Sequence, residues 1–587
     1  MNSTLVVRTD ANRGCAVQMS DKLRCARPLH ESAESHDPEP RCLMHSRDPR
    51  KDSEQFESVI RAIRTGICPY HRFSDRYDFS HFVFPEAVFS RGTSETRDGV
   101  ERVADYIEVA YSRHYWGQIY SPAKWHGEKA EGAEESVPGT EAGNDELAQE
   151  APNSEPTMDN LDPNADAAFN RDVDFTGAVF LGPAWFVDLA FKGTACFVGA
   201  TFRSRAYFRQ ARFLKLADFE RVTFSDEVDF YNVSFYTAVR FFQAKFAQSV
   251  RFGETVFNFD AYFSHTQFAG LADFSAAAFN DGSVFKVATF GSKADFTGTL
   301  FRGKIADFTR TSFTNDVRFD RSLFSMAFVK RLPGAMDPIS ESATGPVVAD
   351  FTGATFAEPQ LVHFRRVNRA YPRRTTSGAM PDGFRVRFLD CDVSGIHLDD
   401  VNWYRNRNRM VLQDEITVSC RKFMPEERHE LVSLAYQQLV SNFEDKGFYD
   451  LAEDCYVGSM EMKRLDPLRP VFVRVILTLY RGASMYGSDY SRAFAVLIGM
   501  IVVAGLLFAL PWAGLAVAQP SNVHQSVSGW RRLPGGLFHA FEIASFQRNT
   551  LYSADTVFGR LMSMITGILI PSQLALFLLA VRRRFRR

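Results

Sequence analysis

Cysteine is scarce in this chain: eight among 587 residues, in no compact or evenly spaced framework. That excludes a disulfide-stapled domain and points to a reducing compartment. Net charge is nearly absent too, at −2, so no overall basic field exists to drive non-specific nucleic-acid binding, and no nucleic-acid partner is expected. No phosphate loop, nucleophile elbow or paired-carboxylate motif is present. The chain is therefore not expected to be an enzyme, and no catalytic or cofactor-binding residue is assigned. Residues 1–45 are polar and lack the apolar run of a secretory signal. Leucine is short as well: 40 residues against 55 phenylalanines, the reverse of ordinary usage. The length leaves room for about three to four domains, and something repetitive in them uses phenylalanine.

The repeat begins at Phe175 and runs through Phe180, Phe186, Phe191, Phe197 and Phe202 as far as Phe301, with spacings alternating between five and six. After a one-residue slip near Gly303 it resumes at Phe308, Phe313, Phe319 and Phe324. Two residues before most of these rings stands a small or β-branched residue, as at Ala178, Ala195, Ala217, Val228 and Ala294. On a helix these steps scatter the rings around the axis, so no apolar stripe forms. In extended chain, residues two apart share a side, so small-x-Phe sends both side chains inward and faces Asp218, Asp273 and Asp295 out. Each unit is one short strand and a corner, with Asp-Phe-Thr-Gly stretches at Phe175 and Phe296 among the corners. One inward ring cannot bury itself, but stacked coils bury a continuous column.

Units such as Ala178-Val-Phe180, Ala200-Thr-Phe202 and Ala294-Asp-Phe296 resemble the pentapeptide-repeat family in its Phe-centred variant. The resemblance implies a mainly β fold, a right-handed quadrilateral β-helix with about 22 residues per coil. Residues 170–330 would then make about seven coils and roughly 34 Å of rod. Asp78-Phe79, Phe84 and Phe89 read as a first fragment of it; Ala349 to Phe356, and Phe388 to Trp403 with Leu398 and Val401 in place of Phe, read as a last one. The organisation expected is a Cys/His-rich segment over 1–75, a first β-helix fragment over 76–95, a helix and acidic linker over 96–168, and the main β-helix with insertions over 169–404. A helical hairpin cap over 420–466 and a juxtamembrane helix over 467–492 follow.

Residues 126–168 carry twelve acidic residues, one lysine and no aromatic ring, the composition of a solvated spacer or of a lure for a basic partner. The hairpin is read from Leu431, Leu434, Ala435, Leu439 and Phe443 before Gly447, and from Tyr449, Ala452, Tyr456 and Met460 after it. It serves either as a cap over the open end of the β-helix or as a single tetratricopeptide-type hairpin. Residues 493–518 and 561–581 are uncharged and each long enough to cross a bilayer. Arg469, Arg474, Arg481 and Arg492 precede the first span and Arg582, Arg583, Arg584, Arg586 and Arg587 follow the second, so both termini are expected in the cytoplasm, with a basic tail at 582–587. Residues 519–560 would be the non-cytoplasmic loop.

This two-span hairpin, with Leu537, Phe538, Ala540, Phe541 and Ile543 in its loop, is similar to the pore module of two-span potassium-type channels. The carbonyl ladder of such a filter is missing: Ser545 to Thr550 contains no glycine and includes Arg548. An anchor, or a homo-oligomerising hairpin, is the expectation beside it. Near the N-terminus, Cys15, Cys25, Cys42 and His45 suit a structural zinc ion, with Cys68 and His71 as alternative ligands; thiolate and imidazole in a closed tetrahedral set would hold a segment that has little else. Scattered thiols are the other reading of the same residues. No other cofactor is expected. Cys196, Cys391, Cys420 and Cys455 fall inside ladder or helix patterns and read as small apolar fillers. The rod over 171–330 carries 19 basic against 16 acidic residues, too little negative charge for the DNA mimicry known among pentapeptide-repeat proteins. What remains is an integral membrane protein acting as a non-catalytic scaffold, with the lipid bilayer and an unidentified protein as partners. The alternative is a pore protein with a cytosolic β-helical regulatory domain.

Overall fold

The computed structural model describes residues 41–47, 51, 55–56, 59–60, 76–84, 168–325, 346–369, 383–420, 428–517, 525–527, 529–545, 547 and 551–585. Two units divide it: one holds residues up to 304 with 313–322, the other 305–312, 323–325 and everything from 346 onward.

The first unit is a parallel β-solenoid of strands mostly two residues long, arranged in four ladders. Pairing advances by 22 residues per coil: Ala195 lies against Ala217, Ala217 against Val239, and Val239 against Ala261. The one-residue slip appears as steps of 23 across that coil, as from Ala294 to Val317 and from Phe290 to Phe313. Backbone groups are used between coils, as where the Phe197 N–H donates to the Asp218 carbonyl at 2.7 Å. The rings then pile in register: Phe197, Phe219, Phe241 and Phe263 stack at 4.8–4.9 Å, the spacing of neighbouring strands. Phe208, Phe230, Phe252 and Phe274 form a second column at 4.7–4.9 Å. The two columns meet edge to face, Phe241 lying 5.5 Å from Phe252 at 79°, the geometry that aromatic quadrupoles favour.

Residues 76–84 form a coil preceding that at 172–180, Arg76 pairing with Asp172 and Val83 with Val179. Phe84 stacks on Phe180 at 4.5 Å, so the stretch between the two is an insertion into a continuous stack. Phe89 lies outside the described residues. Residues 41–47, Lys51 and Phe56 close this end: the Met44 carbonyl accepts the Val83 N–H, Phe56 is fully buried against Phe82 and Phe84, and the Lys51 ammonium donates to the carbonyls of Leu43 and Ser46.

In the second unit, Ile305–Asp307, Val348–Asp350 and Arg385–Arg387 continue as parallel strands, and Phe308 and Phe388 stack on either side of Phe351. Leu398 is buried as a ring would be, whereas Val401 is only half-buried and Trp403 is 5% exposed. Helices follow: α1 (Gln413–Cys420), α2 (Arg428–Asp445), α3 (Tyr449–Leu465), α4 (Val471–Ser484), α5 (Tyr490–Ala509), α6 (Arg532–Ala544) and α7 (Val557–Phe585). A solenoid end leaves strand groups unpaired, and α1 to α3 satisfy them here. Asn442 donates to the carbonyls of Val393 and Ile396, Asp414 accepts the Phe388 N–H, Asp454 accepts the Met410 N–H, and Phe443 meets Trp403 edge-on. Leu434 is 50% exposed and Tyr436 fully buried, because the hairpin turns the Tyr436 face toward the coil, where its hydroxyl accepts the Leu412 N–H and donates to Glu415.

Burial pushes the Asp414 carboxyl up to about 7 from 3.8. Between those values the folded protein keeps a proton that the unfolded chain has released, so this group's contribution falls as pH rises. At about 1.4 kcal/mol per pH unit the ceiling is roughly 4 kcal/mol. Asp414→Asn keeps the acceptor and removes the charge. Its melting temperature should exceed the parent's by a margin that grows from about pH 4 to 7 and then levels off. A margin independent of pH in thermal melts would refute the assignment.

Two helices, α5 and α7, are long and apolar enough to cross a membrane. The first ends at Ala509 rather than 518, since a 3-10 turn over Pro511–Ala513 and the strand Leu515–Val517 replace its last turns. Proline there has no N–H to continue the helix.

Candidate functional site

The residue between each inward small residue and its ring faces out, and the parallel register lines such residues up along the rod. One file runs Trp185, Tyr207, Asp229, Arg251, Asp273, Asp295, Arg318. Its charges are largely spent on neighbouring side chains. Arg209 meets Asp229 at 3.0 Å, Arg251 approaches Asp273 at 4.0 Å, Lys293 meets Asp295 at 2.9 Å, and Arg318 pairs with Asp316 at 2.9 Å. Such half-exposed pairs add little stability, but they leave this side without a strong field of either sign. At one end Trp185 and Tyr207 stack at 4.1 Å, both half-buried, and the Trp185 indole N–H is shielded and has no hydrogen-bond partner among the described residues. Aromatic side chains are enriched at protein contacts.

The outward aspartates also hold the corners. Asp174, Asp218, Asp229, Asp273 and Asp295 each accept the N–H two residues on, and the next residue takes a left-handed φ, as at Gly177, Arg221, Asn232, Ala276 and Gly298. Burial opposes ionisation of Asp295, but hydrogen bonds from Thr297 and Lys293 outweigh it and hold the carboxyl below its ordinary range. At Asp218 burial prevails and the carboxyl is pushed up.

Of the zinc candidates, Cys42 and His45 are brought together: both are buried, with Sγ and Nδ1 3.3 Å apart and the imidazole edge-on to Phe82. Two ligands of one tetrahedral zinc stand about 3.6 Å apart, so this pair fits two of four places. Cys15, Cys25, Cys68 and His71 lie outside the described residues. No group of three or more His, Cys, Asp and Glu capable of holding a metal occurs among the described residues. Burial pushes the thiols of Cys391 and Cys455 up, as suits packing rather than reactivity.

The second feature is the junction of hairpin and apolar helices. Glu461, 7% exposed, receives Arg464 at 2.8 Å, the Arg481 guanidinium at 2.8 Å and the Tyr486 hydroxyl at 2.9 Å. Arg584, at the end of α7, meets Asp450 at 2.6 Å, and the Arg583 guanidinium lies 3.9 Å from the Tyr456 ring centre. Gln573 of α7 donates to the carbonyls of Ala483 and Ala493. The expected loop over 519–560 contains α6, packed along α5 where Gly536 and Gly505 let the backbones touch: a methyl on Gly536 would lie 2.4 Å from the Gly505 carbonyl. Small residues permit such approaches between helices. Glu542 of α6, 1% exposed, accepts the Leu551 N–H at 2.6 Å.

Neither the aromatic pair nor the Arg584 contact stands out in the sequence. For the pair, the available signal is the 22-residue spacing of Ala184-Trp185-Phe186 and Ala206-Tyr207-Phe208. Residues 190–234 match the family Pentapeptide repeats (9 copies), while no curated protein and no solved structure matches the chain. This rod is a pentapeptide-repeat solenoid.

Proposed function

We propose that this pentapeptide-repeat chain is a non-catalytic interaction scaffold anchored in a membrane, its solenoid on the cytoplasmic face. One observation carries the reading: the hairpin that closes the last coil is also the body gripped by Arg583 and Arg584 at the end of α7. A partner on the rod is thereby held at the bilayer. The end of α7 meets the hairpin and the start of α5 packs beside that end, Tyr490 lying 6.4 Å from Phe585; both carry arginines, Arg492 among them and Arg582 to Arg584, and positive flanks favour the cytoplasm. Along the rod, backbone groups are consumed between coils and rings fill the interior, which leaves the outward files for binding.

The test is proximity labelling from a labelling enzyme fused to the N-terminus, in the native membrane. Trp185→Ala with Tyr207→Ala should lose specific protein neighbours while the chain stays in the membrane fraction. An unchanged neighbour set removes the aromatic pair from the account, and the absence of any protein neighbour removes the scaffold.

A two-span pore with a β-helical regulatory domain is the second reading, favoured by α6 lying against α5 beside α7. Purified full-length protein in planar bilayers should carry no unitary current if the anchor reading holds. Current above the lipid background would replace it with the pore.

The N-terminal segment is proposed to hold one structural zinc through Cys42 and His45, completed by Cys15 and Cys25, or by Cys68 and His71. Purified full-length chain should contain close to one equivalent by elemental analysis, lost in Cys42→Ser. Under a tenth of an equivalent in the parent would sink it.

A further inference from the structure

We propose that α4 lies flat in the membrane surface on the solenoid side, its apolar face seated at the boundary between headgroups and acyl chains. The inference rests on the reading that α5 and α7 span a bilayer.

The helix reads Val471-Phe-Val-Arg-Val-Ile-Leu-Thr-Leu-Tyr-Arg481, and its two faces have different surroundings. Val471, Phe472, Val475, Ile476 and Leu479 share one side at helical spacing, and they are 72, 74, 50, 46 and 67% exposed. The opposite side is committed inward: Arg481 pairs with Glu461 of α3, and Tyr480 meets Tyr486 of the following turn edge-on at 5.7 Å. Folding the apolar face inward would break those contacts. The turn that follows is also set. Met485, Tyr486 and Gly487 take φ of 49, 61 and 76° in succession, and the Asp489 carboxylate caps α5 by accepting the Arg492 N–H at 2.9 Å. Gln573 of α7 ties the turn down through the Ala483 carbonyl.

A water-facing helix with five large apolar side chains on one side, and Leu468 58% exposed just before it, makes a patch that soluble surfaces seldom carry. Continuity identifies the occupant. Five residues after α4 ends, the chain enters α5, whose exposed Phe494 and Ile498 would face lipid. Arg469, Arg492 and Arg582 to Arg584 stand near the same end of the bundle by connectivity, where headgroup phosphates lie. An amphipathic helix so placed binds in the interfacial plane by burying its apolar face among acyl chains.

The test uses full-length protein in vesicles of phosphatidylcholine and phosphatidylglycerol, with photoreactive benzoylphenylalanine at position 472, 479, 568 or 240, one site at a time. Ile568 is an exposed residue of α7, and Arg240 an exposed residue of the rod. After irradiation, mass spectrometry should show the added mass of one phospholipid at 472, 479 and 568 and none at 240. Phospholipid at 568 but none at 472 and 479 overturns the interfacial placement and leaves the spans intact. Crosslinks from 472 or 479 to protein, from a second copy or otherwise, overturn it equally. No lipid at 568 means the spanning reading has failed, and this inference with it.

Discussion

Phe252→Ala is expected to destabilise the first unit by about 3–5 kcal/mol, the range for emptying a phenylalanine site in a packed interior. Phe252 is fully buried, stacks on Phe230 and Phe274 at 4.9 Å each, and meets Phe241 and Phe263 edge-on at 5.5 Å. Truncation removes contacts with the coils before and after as well as its own. The backbone ladder keeps the coils about 4.8 Å apart, so the cavity has little room to collapse. Phe252→Leu restores most of the volume and should cost less than half as much. In a solenoid each coil leans only on its neighbours, so the loss should appear locally. Hydrogen exchange should accelerate most in the coils around residues 230–274 and least near Phe84. Denaturant unfolding of the solubilised full chain gives the magnitude; a loss under about 1 kcal/mol would mean the rings do not carry the core.

The second large effect is a change of compartment. Ending the chain after Asp489 removes α5, α6 and α7, and the shortened protein should leave the membrane pellet in alkaline carbonate, while the full chain stays. Burying a helix of some 20 apolar residues in lipid is effectively irreversible, whereas an amphipathic helix held only at the surface is stripped. The shortened chain retains α4, so at neutral pH it should still float weakly with vesicles. Full-length protein in the carbonate supernatant would end the case for spanning helices. Shortened protein that resists carbonate would place the anchor elsewhere.

The rod's interior is a stack of rings and its backbone groups are spent between coils, so neither offers a reacting group. Its outer files present side chains at a fixed spacing, and under the proposed scaffold reading a partner would bind there. Most charges on the file from Trp185 to Arg318 pair with neighbouring side chains, which is why the Trp185 and Tyr207 stack, rather than a charge pattern, distinguishes one part of it.

By itself the sequence determined the strand unit: alternation of five and six between phenylalanines, with a small residue two before most, puts the rings on the inward side of an extended chain. The coil of four units and about 22 residues was what the resemblance to pentapeptide repeats implied, and the ladder pairing has that register. The two apolar runs are likewise a matter of composition, and so were legible. The corners were not: Arg221, Gln243, His265 and Val287 occupy left-handed positions that sequence rules reserve for glycine. There the ladder on either side imposes the backbone, a tertiary override of local preference. The outward aspartates read as solvated when only their side of the strand is considered. Only the folded corner shows Asp218 or Asp273 accepting an N–H. Long-range pairings left no trace in local pattern either. Arg584 meets Asp450 across 134 residues, and Asn442 satisfies carbonyls nearly 50 residues away. Periodicity reports which side of an element is buried; what it is buried against is decided when distant elements close on one another, because that choice belongs to packing.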